Sequence, residues 1–250
     1  MTLSPHQQHD RFRIQARWTQ ELRRMVYGQL NLFACQSVLD LGCGTGALLG
    51  ELSRRVGGHL VGLDLSADHL AFAGTRFDRA FLTAGDAHHL PFGAETFNAA
   101  LCHFVLLWVQ KPRQVVREMR RVVKPGGLVI AFAEPDYGGR IDHPPELARI
   151  QEIQLQSLAA QGADPRTGRK IRDYFSDAGL HSITSGVLQG YWQGPPSEEE
   201  FQSEWAVLSQ DLEGYLNPRE IDQLRLVDRE AWQQGRRTLF VPTFYAWGRV

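Results

Sequence analysis

The chain of 250 residues predicts an α/β architecture: a doubly wound seven-stranded sheet, mostly parallel with an antiparallel last strand, carrying helical insertions. Apolar strand-like runs alternate with amphipathic helical stretches up to about residue 135. Two of those runs end on a carboxylate, Val38-Leu39-Asp40 and Val61-Gly62-Leu63-Asp64. The first then turns through Gly42-Cys43-Gly44-Thr45-Gly46 straight into a helical pattern. Glycines are needed there because the backbone must turn tightly and let a ligand lie against it with no Cβ in the way.

The elements follow in order. Residues 10–33 form an amphipathic helical stretch, with Phe12, Ile14, Trp18, Leu22, Met25 and Val26 at helical spacing. Strands are expected at 36–41, 59–64, 79–83, 97–103 and 127–134, with helices at 46–56, 67–76 and 111–123 between them. A Pro125-Gly126-Gly127 turn opens the fifth strand. Beyond it, a helix over 144–161 and a second ending at Ala178-Gly179-Leu180 precede a strand near 181–192. The alternation of Leu239, Val241, Thr243, Tyr245 and Trp247 with Phe240, Phe244 and Ala246 marks a last strand over 238–248. Between those strands lies an insert over 195–236, whose Ser197 and Glu200 have the spacing of a capping box.

The glycine turn is the layout of a nucleoside-cofactor site at the carboxyl edge of a parallel sheet. A dinucleotide fingerprint reads G-x-G-x-x-G and sets pyrophosphate on a helix N-terminus. Here the spacing is G-x-G-x-G, with Asp40 just before the turn. A carboxylate is a poor neighbour for pyrophosphate and a good one for a cationic amino-acid moiety. S-adenosylmethionine carries an ammonium and a sulfonium and no phosphate, so charge favours it over NAD. Asp64 can accept both ribose hydroxyls. Asp86 can accept from an adenine amine, and the Ala87 amide can donate to a ring nitrogen.

These segments, with Asp86-Ala87-His88-His89-Leu90-Pro91-Phe92 and Val122-Val123-Lys124-Pro125-Gly126-Gly127 in that order, resemble the class I S-adenosylmethionine-dependent methyltransferases of the small-molecule, type 11-like group. The resemblance covers roughly residues 36–135. It implies a Rossmann-like fold, S-adenosylmethionine as donor and S-adenosylhomocysteine as product. It places Asp40, Gly42 and Gly44 at the methionine end, Asp64 at the ribose, and Asp86 with Ala87 at the adenine, with Cys43, Gly46 and Leu65 also among the cofactor-binding residues. Cys102 and His103 would sit beside the methyl group. It further implies that residues 1–35 cap the cofactor pocket of a domain over 36–250, with helical lid segments at about 140–178 and 195–236. Many relatives have a histidine where this chain has Leu106-Leu107-Trp108, which weakens any carry-over of a histidine base to that turn.

His103 is the candidate general base, or else a histidine hydrogen-bonded to cofactor or backbone. Acceptor candidates are Trp18, Asp136, Tyr137, Arg140, Trp192 and Trp205, with His143, Tyr174 and Tyr215 behind them. Trp18 could instead pack in the core, and Asp136 and Tyr137 could cap the loop after strand five. The basic clusters Arg117/Arg120/Arg121/Lys124 and Arg166/Arg169/Lys170/Arg172 read as solvated faces or phosphate grips. Arg23 and Arg24 have the solvated reading. His88-His89 has no partner cluster, so no metal is expected.

Composition sets the remaining bounds. A chain 43% hydrophobic can bury a full core, and a formal net charge of -1 makes no electrostatic case for nucleic acid. The polar start and the lack of a long apolar run predict neither secretion nor a membrane span. The three cysteines, Cys35, Cys43 and Cys102, lack C-x-x-C spacing and suit a reducing cytoplasm. The expected partner is a small-molecule methyl acceptor. An RNA- or protein-directed methyltransferase and a non-catalytic cofactor binder remain alternatives, as does an oligomer joined through the insert.

Overall fold

The computed structural model describes residues 4–188 and 194–250. Helices α1 (Pro5–Trp18) and α2 (Gln20–Gln29) precede β1 (Ser37–Leu41), α3 (Leu49–Leu52), β2 (His59–Asp64), α4 (Ala67–Gly74) and β3 (Ala80–Ala84). Then come β4 (Phe97–Cys102), α5 (Pro112–Val122), β5 (Val123–Pro135), β6 (Ile141–His143), α6 (Arg149–Ala160) and α7 (Ile171–Asp177). The chain continues with β7 (His181–Val187), α8 (Glu198–Leu212), α9 (Pro218–Gln233), β8 (Thr238–Phe240) and β9 (Thr243–Arg249).

Seven strands form one sheet in the order β3-β2-β1-β4-β5-β9-β7. Pairing is parallel from β3 to β5, while β9 runs antiparallel to both β5 and β7. The predicted fold class is therefore the observed one. Strand order reverses between β1 and β4, which opens a crevice at their carboxyl ends.

Because side chains alternate along a strand, each central strand feeds two cores. Leu39, Leu41, Ala100, Cys102, Val129 and Ala131 pack on one face with α5 and α7. Val38, Ala99, Leu101, Ile130 and Phe132 pack on the other with α2 and α3. Full burial of each Leu, Ile or Phe contributes about 1.5–3 kcal/mol. A third core joins Leu147 and Ile150 to Phe201, Trp205, Leu208 and Leu224 of the insert, so the insert packs on the segment around α6.

Several boundaries differ from the sequence reading. The single helix over 10–33 starts earlier, at Pro5 behind a Ser4–Gln7 capping box, and breaks at Thr19. There the Thr19 backbone amide donates to the Ala16 carbonyl at 3.4 Å, a three-residue turn in place of the helical ladder. The helix expected over 46–56 shrinks to Leu49–Leu52 between turns. β5 starts at Val123, and its pairing jumps from Phe97–Val123 to Ala99–Leu128 across the Pro-Gly-Gly segment. The strand expected over 238–248 splits at Pro242, which cannot donate to a ladder, and its first part pairs with β6 in a separate two-stranded sheet. The Ser197–Glu200 capping box opens α8 as expected. The strand near 181–192 ends at Val187, its last residues lying outside the described ones.

Candidate functional site

The glycine turn leaves β1 with Gly42, Gly44 and Gly46 at φ +69°, +52° and +85°. A Cβ on Gly42 would sit 2.5 Å from Val105 Cγ2, and one on Gly46 2.6 Å from Phe77, so neither position tolerates a side chain. The turn is tied to β2: the Gly42 and Cys43 amides donate to Leu63 O at 2.7 and 3.0 Å. The Gly44 amide donates to Asp64 Oδ2 at 2.8 Å, and the Ser66 amide to Asp64 Oδ1 at 2.9 Å. Asp64 is thereby oriented with a lone pair free on each oxygen. Beside it, Leu65 is 79% exposed.

Helix α1 lies against this turn. The ideal Cβ position of Gly44 is 3.4 Å from the Phe12 ring, His9 Nδ1 is 3.0 Å from Thr45 Oγ1, and Gln8 meets His69 Nε2 at 2.5 Å.

Behind the turn sits a buried polar cluster. Arg23, expected on a solvated helix face, is 2% exposed, and its Nη2 donates to Glu51 Oε2 at 2.6 Å. Its Nη1 donates to Ala16 O at 2.5 Å and to the Thr19 hydroxyl. Arg24 is exposed and pairs with Glu21, as a solvated face requires. Asp40 Oδ2, Glu51 Oε1, Tyr27 Oη and Arg23 Nε are buried with no hydrogen-bond partner among the described residues. Burial, with Asp64 adding and Arg23 opposing, pushes the Asp40 carboxyl up to about 8. Burial also raises the Tyr27 phenol.

His103 joins this cluster through Thr19 Oγ1, 2.8 Å from its Nε2. Since Arg23 only donates, the Thr19 hydroxyl accepts from it and has one proton to give. The imidazole contact is shorter than the 3.3 Å contact to Ala16 O, which assigns Nε2 as the acceptor. Burial, then the Arg23 charge, lowers His103 to about 3. The Thr19 side chain is neither of the partners expected of His103, cofactor and backbone, and burial leaves the imidazole a weak base. Between pH 3 and 6.5 the unfolded chain binds more protons at this residue, so stability falls as pH drops through that window. His103→Gln should therefore lose about 1–2 kcal/mol less than the parent between pH 7 and pH 5, measured by urea melts.

Asp86 is exposed, and its Oδ1 accepts from the His88 amide at 2.9 Å and His88 Nδ1 at 2.7 Å, which holds it below the usual carboxylate range. His88 Nε2 accepts in turn from the Lys111 amide at 3.3 Å. Ala87 beside them is half-buried. Among the described residues no group of three metal-ligating side chains occurs. Cys43 and Cys102 are buried free thiols, both raised by burial.

Glu134, which the sequence reading missed, is fully buried at the end of β5 and accepts the amides of Val105, Leu106 and Leu107 at 3.0, 3.0 and 3.1 Å. It fixes the loop that follows β4. Burial raises it to about 7 against those three bonds.

A cavity of about 450 Å³ opens beyond this loop, between α1, the end of β5, the middle of α6, and α8, α9 and β8. Trp18 (57% exposed), Tyr137 and Arg140 line it, as do Arg11, Phe104, Glu204, Trp232 and Phe240, which the sequence reading did not single out. The α8 residues Glu200, Ser203, Glu204, Val207 and Leu208 face it at helical spacing, a signal legible once the helix is oriented.

Other expected acceptor residues lie elsewhere. Asp136 is buried in an ion pair with Arg169 and caps Gly138 at 3.0 Å. Trp205 is 2% exposed in the core of the insert, its Nε1 donating to Asp228 at 2.7 Å. Tyr174 belongs to the sheet core, Tyr215 and His143 are exposed outside the cavity, and Trp192 lies outside the described residues. Within the basic clusters Arg121 pairs with Glu118, Lys170 with Asp164, and Arg172 bonds Ile183 O, while Arg117 and Arg120 are exposed.

Among the described residues no helix is long and apolar enough to cross a membrane. The family model described as a methyltransferase domain matches residues 39–131. The demethylmenaquinone methyltransferase of Halalkalibacterium halodurans is 39% identical over 117 residues, 44% of this chain and 48% of that protein. This chain thus spans about half the length of the first curated relatives it matches. The Shouchella clausii protein of the same name is 30% identical over 188 residues, 65% of this chain and 77% of its own. Among solved structures, the [4+2]-cyclase SpnF superposes with a TM-score of 0.59 at 19% identity, covering 92% of this chain and 79% of that one, a likeness of fold alone. With a matched domain spanning the glycine turn and β1–β5, and a relative aligned over most of its length, the chain belongs to the class I S-adenosylmethionine-dependent methyltransferases.

Proposed function

We propose that the protein transfers a methyl group from S-adenosylmethionine to an oxygen, nitrogen or carbon of a small molecule. The observation that carries this reading is the set of unpartnered buried atoms behind the glycine turn: Asp40 Oδ2, Glu51 Oε1, Tyr27 Oη and Arg23 Nε. Polar atoms are rarely buried unpaired, and an amino-acid zwitterion supplies both an ammonium for carboxylates and a carboxylate for Arg23 and Tyr27. Asp64 would take the ribose hydroxyls, exposed Leu65 the adenine face, and Asp86 with Ala87 its edge. Gly42 and Gly46, where a Cβ would clash, keep the turn in the conformation that exposes its backbone.

When bound, the cofactor supplies an electrophilic methyl on a sulfonium, so the protein need not stabilise negative charge on the leaving thioether. Its residues act by alignment and exclusion of water. Glu134 holds the Val105–Leu107 loop between the two sites, while α1 and α8 wall off the acceptor cavity. A cavity of about 450 Å³ suits a small acceptor better than RNA or protein. The substrates printed in the names of its relatives, a naphthoquinone among them, are also small molecules.

Calorimetric titration with S-adenosylmethionine, S-adenosylhomocysteine, methylthioadenosine and NAD tests the reading. Micromolar binding of the first two, weaker binding of methylthioadenosine (which lacks the amino-acid group) and none of NAD are expected. NAD binding in their place would refute it, and equal affinity for methylthioadenosine would remove the role of the Arg23 cluster.

A further inference from the structure

Against one wall of the acceptor cavity lies a buried charge network. Asp142 accepts from Arg140 at 2.6 and 3.1 Å and from Arg237 at 2.7 Å. Asp228 accepts from Arg237 Nε and, at 2.7 Å, from Trp205 Nε1. Two guanidiniums and two carboxylates cancel, each with a partner.

Glu204 lines the cavity within electrostatic reach of all four. Among the described residues it makes no hydrogen bond or ion pair. Glu200, one turn earlier, is already held by Ser197 and lies 4.0 Å from Arg17. Burial, with Asp228 and Asp142 adding and Arg140 and Arg237 opposing, raises the Glu204 carboxyl. Among the described residues the Tyr137 phenol also lies in its field, and burial pushes that phenol up to about 12.

The described cavity wall carries two arginines, Arg11 and Arg140, and two glutamates, Glu200 and Glu204. Its formal charge is zero, and most of the rest is apolar, so a charged acceptor would bring an uncompensated charge out of water. A neutral molecule avoids that cost, and a carboxylate in the wall can only accept a hydrogen bond from it. We propose that Glu204 determines acceptor specificity, accepting a hydrogen bond from the hydroxyl of a neutral, otherwise apolar small molecule. This assignment rests on the acceptor cavity of the proposed function.

The test titrates the intact protein with 4-phenylphenol and 4-methoxybiphenyl, which share an apolar body and differ in one donated proton. The parent is expected to bind the phenol about tenfold more tightly, the magnitude of one hydrogen bond to a charged group. Glu204→Leu should bind both alike, and Glu204→Gln should keep part of the preference, since its carbonyl still accepts. Equal affinities in the parent, failure of the parent to bind either compound, or a preference that survives both substitutions would overturn the proposal. S-adenosylhomocysteine, titrated alongside, checks that the variants are folded. If Glu204→Leu does not fold, Glu204→Gln decides: a preference cut by about threefold or more supports the assignment, and an unchanged one refutes it. Should the parent itself not bind S-adenosylhomocysteine, the methyltransferase reading fails, while the two biphenyls still decide the role of Glu204.

Discussion

Asp142→Ala is expected to lower folding stability by about 3–5 kcal/mol, the usual loss when one partner of a buried ion pair is removed. The Asp142 side chain is 0% exposed and serves two arginines whose own side chains are 4% and 2% exposed. Without it, Arg140 retains only Gln154 at 2.9 Å, and Arg237 retains Asp228 with two backbone carbonyls. Arg140 would then hold its charge away from water with no carboxylate bonded to it. The damage should spread, because Asp142 sits in β6, paired with β8, and Arg237 leads directly into β8. Denaturant unfolding of the variant measures the loss, and a change below about 1 kcal/mol would mean that the network is open to water.

Asp64→Ala is expected to weaken S-adenosylhomocysteine binding by at least about 100-fold, from the loss of two charge-assisted hydrogen bonds to a ribose diol. A second effect adds to the first. The same carboxylate holds the Gly44 and Ser66 amides at 2.8 and 2.9 Å, so its removal releases the middle of the glycine turn. Asp64→Asn should keep part of that scaffold, because a side-chain carbonyl can still accept one amide. Its affinity should fall between parent and alanine variant. Calorimetry reads both, and near-parental affinity in the alanine variant would refute the ribose assignment.

The parallel part of the sheet was legible because β1, β2, β4 and the second half of β5 are largely apolar, with helical periods and glycine or proline turns between them. The β6–β8 pair was not, since three residues are too few to display a period. The carboxylates at strand ends stood out because charge is costly beside a buried sheet. Arg23 did not, because its burial depends on Glu51, 28 residues away in the chain. Glu134 closes an apolar strand like any polar terminator, and its three amide partners lie in a loop with no sequence signature. Trp205 was misplaced because an aromatic residue on an amphipathic helix reads equally well as core or as pocket. The acceptor cavity has contributions from α1, β5, α6, α8, α9 and β8, so no single segment carries it.

Helix α1 presents two faces to two different places. Gln8, His9 and Phe12 meet the glycine turn and α4, while Arg11, Ile14, Gln15 and Trp18 form a wall of the acceptor cavity. A ligand on either side that favours the seated helix lends the same free energy to the other, because such coupling is reciprocal by thermodynamic necessity. If donor and acceptor both favour the seated helix, each would raise the other's affinity with no contact between them.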